Sequence, residues 1–227
     1  MNKFLSRIVT LAVVGVLAVP ATADMTLRIT VGPGSGPGGE FQVEPLSDWD
    51  FVPVSLGELT NPFRFETFCL ERYEYFQPGQ IYHAVLNTGA VCGDGGGSGS
   101  FDPLSEQAAY LYSHFVTGRL DGYDYGPTRS SSADALQDVI WYLEGEIAKT
   151  WTDADGSLQD KFYQDAMNNA QPGHFYSVRV LNVWEHHVGE EYSGLAQDQL
   201  VMVPAPGAAA LGVIGLTVIA ALRRRLG

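Results

Sequence analysis

The chain has 227 residues, 45% of them hydrophobic and 17% charged, and 26 acidic residues against 13 Lys and Arg leave a formal net charge of −13. So acidic a balance argues against nucleic acid and anionic membrane surfaces as partners and suits a solvated exterior, basic partners or loosely held cations. With only two cysteines, a domain of this size must be held by its core rather than by a disulfide framework.

Residues 1–23 read as an export signal. Lys3 and Arg7 precede the apolar run Ile8 to Val19, and Ala21-Thr22-Ala23 offers small residues for cleavage, so Asp24 is the expected start of the mature chain. "MTLRITV" then alternates like a strand. "GPGSGPGGE" (32–40) is a break, and "FQVEPL" and "FVPVSL" read as short edge strands punctuated by proline. In "FRFETFCLE" the alternation sets Phe63, Phe65 and Thr67 on one face and Arg64, Glu66 and Phe68 on the other, with Cys69 on the Phe65 face. "QIYHAVLN" (80–87) is another strand, and "CGDGGGSGS" (92–100) is an irregular loop.

From Pro103 the period becomes helical. "LSEQAAYLYSHFVTG" has Ser105 as N-cap, a stripe of Ala108, Leu111, Tyr112 and Phe115, and Gly118 at its C-terminal end. "SSSADALQDVIWYLEGE" carries a stripe of Leu136, Val139, Ile140 and Leu143, with Gln137 at its half-covered margin one turn from Trp141. "SLQDKFYQDAMNNA" (157–170) is a third helix, and "HFYSVRVLNVWEH" and "QDQLVMVP" return to strands. Strands, then helices, then strands predict an α+β domain over residues 24–202 with a helical insertion between its β segments. Five of the 13 basic residues lie outside that span and all 26 acidic residues inside it, so the domain carries 8 basic residues and a net charge of −18.

The end of the chain is a mirror of its start. Val203-Pro204-Ala205-Pro206-Gly207 leads into an apolar run, Ala208 to Leu222, closed by Arg223, Arg224 and Arg225, a stop-transfer pattern. The run is short for a permanent span, which wants about 20 residues. Residues 203–227 resemble the PEP-CTERM sorting signals of bacteria that make exopolysaccharide, with Ala205 where the usual glutamate stands. The resemblance implies processing by an exosortase-type enzyme, transient membrane anchoring through the C-terminal hydrophobic helix, and a final place at the cell surface or in the extracellular matrix.

Two chemistries are open to the cysteines. Cys69 and Cys92 can form one disulfide, as exported cysteine pairs commonly do. Alternatively, Cys69 can attack the side-chain carbonyl of Gln137 in a dry site, expel ammonia and leave an internal thioester that a partner's amine can open. Phe68-Cys69-Leu70 at the end of an aromatic strand, followed well downstream by Leu136-Gln137-Asp138-Val139-Ile140-Trp141 on a helix, resembles the thioester domains of bacterial surface adhesins. One common form of the second motif has threonine and alanine where Leu136 and Val139 stand here. The resemblance implies a β-sandwich or barrel-like domain with a helical subdomain, a Cys69–Gln137 cross-link, and covalent attachment to an amine-bearing surface partner. The competing expectation is a structural or carbohydrate-associating matrix exoprotein with a Cys69–Cys92 disulfide.

Other constellations yield bland readings. "TDADGSLQD" (152–160) gathers Asp153, Asp155 and Asp160 around Gly156 but lacks the glycine and glutamate positions of an EF-hand, so it reads as a turn. His186 and His187, adjacent on a strand, point to opposite faces, and no third ligand is spaced to join them, so no metal or other cofactor is expected. Glu144-Gly145-Glu146 reads as a solvated helix end. A cysteine hydrolase would need a base among His83, His114 and His174, and nothing local selects one, so catalytic turnover is not expected.

Overall fold

A computed structural model describes residues 24–35, 38–57, 61–91 and 101–204. The export signal, Cys92 with its glycine loop, and the sorting tail from Ala205 onward, with its hydrophobic helix, lie outside the described residues. Among those residues no helix is long and apolar enough to cross a membrane.

The chain forms an α+β fold. Strands β1 (Met25–Val31), β2 (Phe41–Pro45), β3 (Phe65–Thr67), β4 (Ile81–Asn87), β7 (Val178–Val188) and β8 (Glu191–Met202) make one antiparallel sheet in the order β3-β2-β1-β4-β7-β8, and β5 (Gly89–Val91) pairs with β6 (Phe101–Pro103) in a separate ribbon. Helices α1 (Glu106–Val116), α2 (Ser130–Leu143) and α3 (Leu158–Asn169) are inserted between β6 and β7. The predicted order of strands, helices and strands is therefore observed.

The sheet is curled until its two edges meet. Past Thr67 the chain leaves β2 and runs beside β8: Leu200 N donates to Phe68 O at 3.0 Å, Leu70 N donates to Asp198 O at 3.1 Å, and Cys69 and Gln199 form an antiparallel bridge between them. Inside the curl lies a core that includes Leu27, Ile29, Val43, Phe65, Cys69, Tyr82 and Val183. A second core between sheet and helices gathers Phe68, Leu70, Leu111, Phe115, Leu136, Val139, Ile140 and Phe162. The expected alternation holds, since Phe65 and Cys69 enter the first core and Phe68 the second.

Helix α1 starts where expected: the Ser105 hydroxyl accepts from Ala108 N at 3.1 Å, and Gly118 adopts φ 70° at the C-terminal turn, where Arg119 N closes onto His114 O. Ser157 caps α3 in the same way through Asp160 N. The serines of α2 fall inside its first turn rather than ahead of it, and Ser132 instead accepts from Asp124 N.

Three expectations are corrected. "FVPVSL" forms no strand; Val54 N reaches Met202 O and Leu56 N reaches the Glu66 carboxylate, isolated bonds around Pro53, which has no N–H to give to a ladder. The last two strands are a single long hairpin turning at Gly189, and β7 starts only at Val178, because Tyr176 and Ser177 take positive φ of 51° and 62°. Glu144 and Glu146 are no solvated helix end: Ser105 N and Oγ both donate to Glu144, and Arg72 N donates to Glu146 at 2.8 Å. Gly145 at φ 80° folds the chain back so that both carboxylates point inward.

Candidate functional site

The site grows from the place where the sheet edges join. Around an antiparallel bridge of this kind the flanking residues carry the ladder hydrogen bonds, and the bridged residues keep their own N–H and C=O turned away from each other. Cys69 thus has two main-chain groups facing away from β8, in a region with no exposure to water. Both are taken by one side chain from α2: Cys69 N donates to Gln137 Oε1 at 3.1 Å, and Gln137 Nε2 donates to Cys69 O at 2.8 Å. The amide of Gln137 completes the seam as a neighbouring strand would.

The structure thus brings the two predicted site residues together across 68 positions of sequence. Gln137 is not half covered as the helical wheel suggests but 1% exposed. What hides it is the segment classed as a break. Gly38 lies so close that a Cβ there would sit 2.7 Å from Gln137 Cγ and 2.4 Å from Trp141 Cη2. This approach requires glycine. The strap is fastened on both sides of that point: Ser35 N and Oγ donate to Asp134, and Arg129 binds buried Glu40 through Nε at 2.8 Å and Nη2 at 2.5 Å. Tyr123 OH adds a third bond to Glu40 at 2.9 Å. A cleft of about 430 Å³ opens beside Gln137, lined by Arg72, Tyr73, Asp134, Asp138 and Trp141 among others. Arg72 stacks over the Trp141 ring at 4.9 Å from its centre.

The sulfur itself faces another amide. Cys69 is a free thiol, and Gln199 Nε2 lies 3.4 Å from its Sγ while also donating to Gln197 O at 2.9 Å. Burial pushes the thiol well above its ordinary pKa, opposed by the Gln199 hydrogen bond and reinforced by the nearby carboxyls of Glu71 and Asp198. Those two are themselves buried: Asp198 N donates to Glu71 Oε2 at 2.8 Å, and Asp198 accepts from Val91 N, Val183 N and Asn182 Nδ2. Desolvation raises both pKa values, with repulsion from Asp198 adding for Glu71, while three hydrogen bonds donated to Asp198 favour its charged form, so Glu71 is the member of the pair that keeps a proton at neutral pH.

Chemically, the arrangement presents an amide carbonyl polarised by a buried main-chain N–H, the main chain of a cysteine held against that amide with its sulfur turned to Gln199, and a site from which water is largely excluded. A main-chain N–H donated to an amide oxygen, as Cys69 N–H is to Gln137 Oε1, is the kind of contact that stabilises negative charge on such an oxygen.

Sequence reasoning missed Gln199, Glu71, Asp198 and the role of Gly38. The trace of Gln199 and Asp198 was there to read: Gln197-Asp198-Gln199 puts polar residues on both faces of a strand, and residues 196–201 are buried on both.

His186 and His187 part as their adjacent positions on a strand require. His186 stands apart beside Glu185, but His187 Nδ1 lies 3.1 Å from Asp24 Oδ2, and His83 Nδ1 lies 3.2 Å from Asp24 Oδ1. The partners of His187 are distant in sequence, Asp24 brought in just ahead of β1 and His83 by β4. The 152–160 segment is a turn as expected, with Asp155 accepting from Thr152 N and Ser157 N, and Asp153 paired with Lys149. His114 packs on Tyr110 and His174 on Tyr176.

No protein-family model matches this chain, and no curated protein or solved structure is significantly similar to it.

Proposed function

We propose that this chain is an exported, surface or matrix binding protein that forms an internal thioester between Cys69 and Gln137 and uses it to attach covalently to an amine-bearing partner. The observation that carries the reading is the two-point hydrogen bond between the Gln137 amide and the Cys69 main chain, buried under Gly38. In the first step the Cys69 sulfur adds to the Gln137 side-chain carbonyl carbon. The S–C bond forms, the C–N bond breaks, and the thiol proton leaves with the amide nitrogen as ammonia. The oxygen retains its bond from Cys69 N–H throughout. In the second step a partner's primary amine adds to the same carbon, an amide forms, and the sulfur departs with the amine's proton as a thiol.

On this reading the curled sheet is the barrel-like scaffold of a thioester domain and α1–α3 are its helical insertion. The chain leaves the cytoplasm by its N-terminal signal, is held in the membrane by its C-terminal hydrophobic helix, and is handed on by an exosortase-type enzyme acting at residues 203–207.

Intact mass under non-reducing conditions tests this. The thioester predicts loss of one ammonia, and methylamine should then add to the protein and free a thiol at Cys69. A protein that keeps its ammonia, or that loses two hydrogens through a Cys69–Cys92 disulfide, overturns the proposal.

A further inference from the structure

We propose that Asp24, His83 and His187 form a binding site for a single borderline divalent transition-metal ion, of which zinc is the reference case. The site is independent of the thioester reading and stands on different residues.

The three side chains come from adjacent strands. β1 pairs with β4 so that Thr26 opposes His83, and Asp24 immediately precedes β1; β4 pairs with β7, which carries His187 near its end. One ligand atom from each lies within 4.8 Å of the other two. A tetrahedral ion with bonds of about 2.0–2.2 Å spaces its donors about 3.3 Å apart; His187 Nδ1 lies 3.1 Å from Asp24 Oδ2 and His83 Nδ1 3.2 Å from Asp24 Oδ1, so the carboxylate turns one oxygen to each imidazole at about that spacing. Two imidazoles bound through nitrogen to one such ion have ring centres about 5 Å apart; those of His83 and His187 are 5.5 Å apart at 64°.

The donors are held before any ion arrives. The His187 ring lies flat on Tyr192, its partner across the β7–β8 hairpin, with centroids 4.1 Å apart and planes at 4°. Asp24 is anchored through its carbonyl, which accepts from Ser47 Oγ at 3.4 Å, and Ser47 Oγ in turn accepts from Thr26 N at 2.9 Å. Rotamer entropy that a metal would otherwise have to remove is already reduced.

Ligand chemistry narrows the ion. Two imidazole nitrogens and one carboxylate oxygen suit zinc, nickel, copper or ferrous iron and do not suit calcium or magnesium, which ask for oxygen ligands. Three protein donors leave a fourth position to water or to a donor from another molecule. His187 and His83 are partly exposed, with side-chain exposures of 17% and 25%, so an ion can reach them from solution.

The test is titration of the purified, chelator-stripped protein with zinc chloride, followed by calorimetry, and with cobalt(II), followed by its visible absorption. We expect one zinc per chain, no calcium binding, and a cobalt spectrum of low coordination number. His83→Ala and His187→Ala should each weaken zinc by about tenfold or more, His186→Ala should leave it unchanged, and Asp24→Asn should alter the cobalt spectrum. Thermal melts of each variant separate lost ligands from lost fold. Absence of zinc binding to the parent protein overturns the proposal, as does zinc binding retained in the folded His83→Ala/His187→Ala double variant. Either result would leave a clasp in which two histidine rings contact one aspartate.

Discussion

The side-chain amide of Gln137 occupies the two main-chain groups of Cys69 that its bridge partner Gln199 leaves free. One glutamine therefore does two separable things: it satisfies a buried backbone, and it offers its carbonyl carbon to a thiol. Gln137→Ala should cost about 2–4 kcal/mol, because it strands a buried donor and a buried acceptor. Cys69→Ala removes only a small sulfur from the core and should cost about 1 kcal/mol. Denaturant unfolding of both variants measures the difference. On the thioester reading each abolishes methylamine uptake, so equal chemical and unequal thermodynamic effects are expected.

Gly38→Ala places a methyl group into contact with Gln137 Cγ and the Trp141 ring. Overpacking of this kind costs about 1–3 kcal/mol, and here it lifts the strap from the amide. We expect faster deuterium exchange at Cys69 N–H and, if the thioester forms, its faster hydrolysis. An unchanged exchange rate at Cys69 would show that the strap does not cover the site.

Glu40 is fully buried and pairs with Arg129 and Tyr123. Removing one partner of a buried pair costs about 3–5 kcal/mol because the other charge is left uncompensated. Glu40→Ala should lose that much, whereas Glu40→Gln, which still accepts from Tyr123, should lose less. Trypsin cleavage at Arg129 should rise in both if the pair fastens the strap.

Protons should stabilise this protein as pH falls from neutrality. Burial raises the Glu144 carboxyl to about 7, against bonds from Ser105 that lower it, and burial likewise raises Glu71 and Asp198. Between the ordinary carboxylate range and these raised values the folded state holds protons that the unfolded state has lost, so stability falls as pH rises through that window. Each such group contributes a slope of about 1.4 kcal/mol per pH unit at most. Melting temperature should therefore decline from pH 5 to pH 7. Glu144→Gln should flatten that part of the curve, and Glu71→Gln should raise stability at pH 8, where folding otherwise has to put a proton on the buried Glu71 carboxyl that the unfolded chain has lost. A melting temperature that climbs between pH 5 and 7 would contradict all three assignments.

Much of this was legible in the sequence, for identifiable reasons. Period and caps placed α1 and α3 to within a residue or two, and alternation put Cys69 and Phe68 on their correct, opposite faces. Gln137 was found, yet its burial was not, because a helical wheel sees one helix and cannot see a glycine strap lying across it. The same blindness hid the inward turn of Glu144 and Glu146 and the meeting of His83, His187 and Asp24. Each depends on segments far apart in the chain, and local periodicity carries no information about which distant backbone comes to rest there. Gln197-Asp198-Gln199 is the exception: three polar residues leading into an apolar strand were a readable sign of polar groups that a second layer must satisfy.

Helix α2 is stitched to its surroundings near both ends, by Arg129 and Asp134 to the strap and, just past its last turn, by Glu144 and Glu146 to the α1 cap and the Arg72 backbone. It is in effect a beam fixed at both supports, with Gln137 near mid-span. Were a partner joined at that residue and pulled, the load would pass to four separate clasps, and rupture would need several to yield together instead of peeling one strand at a time.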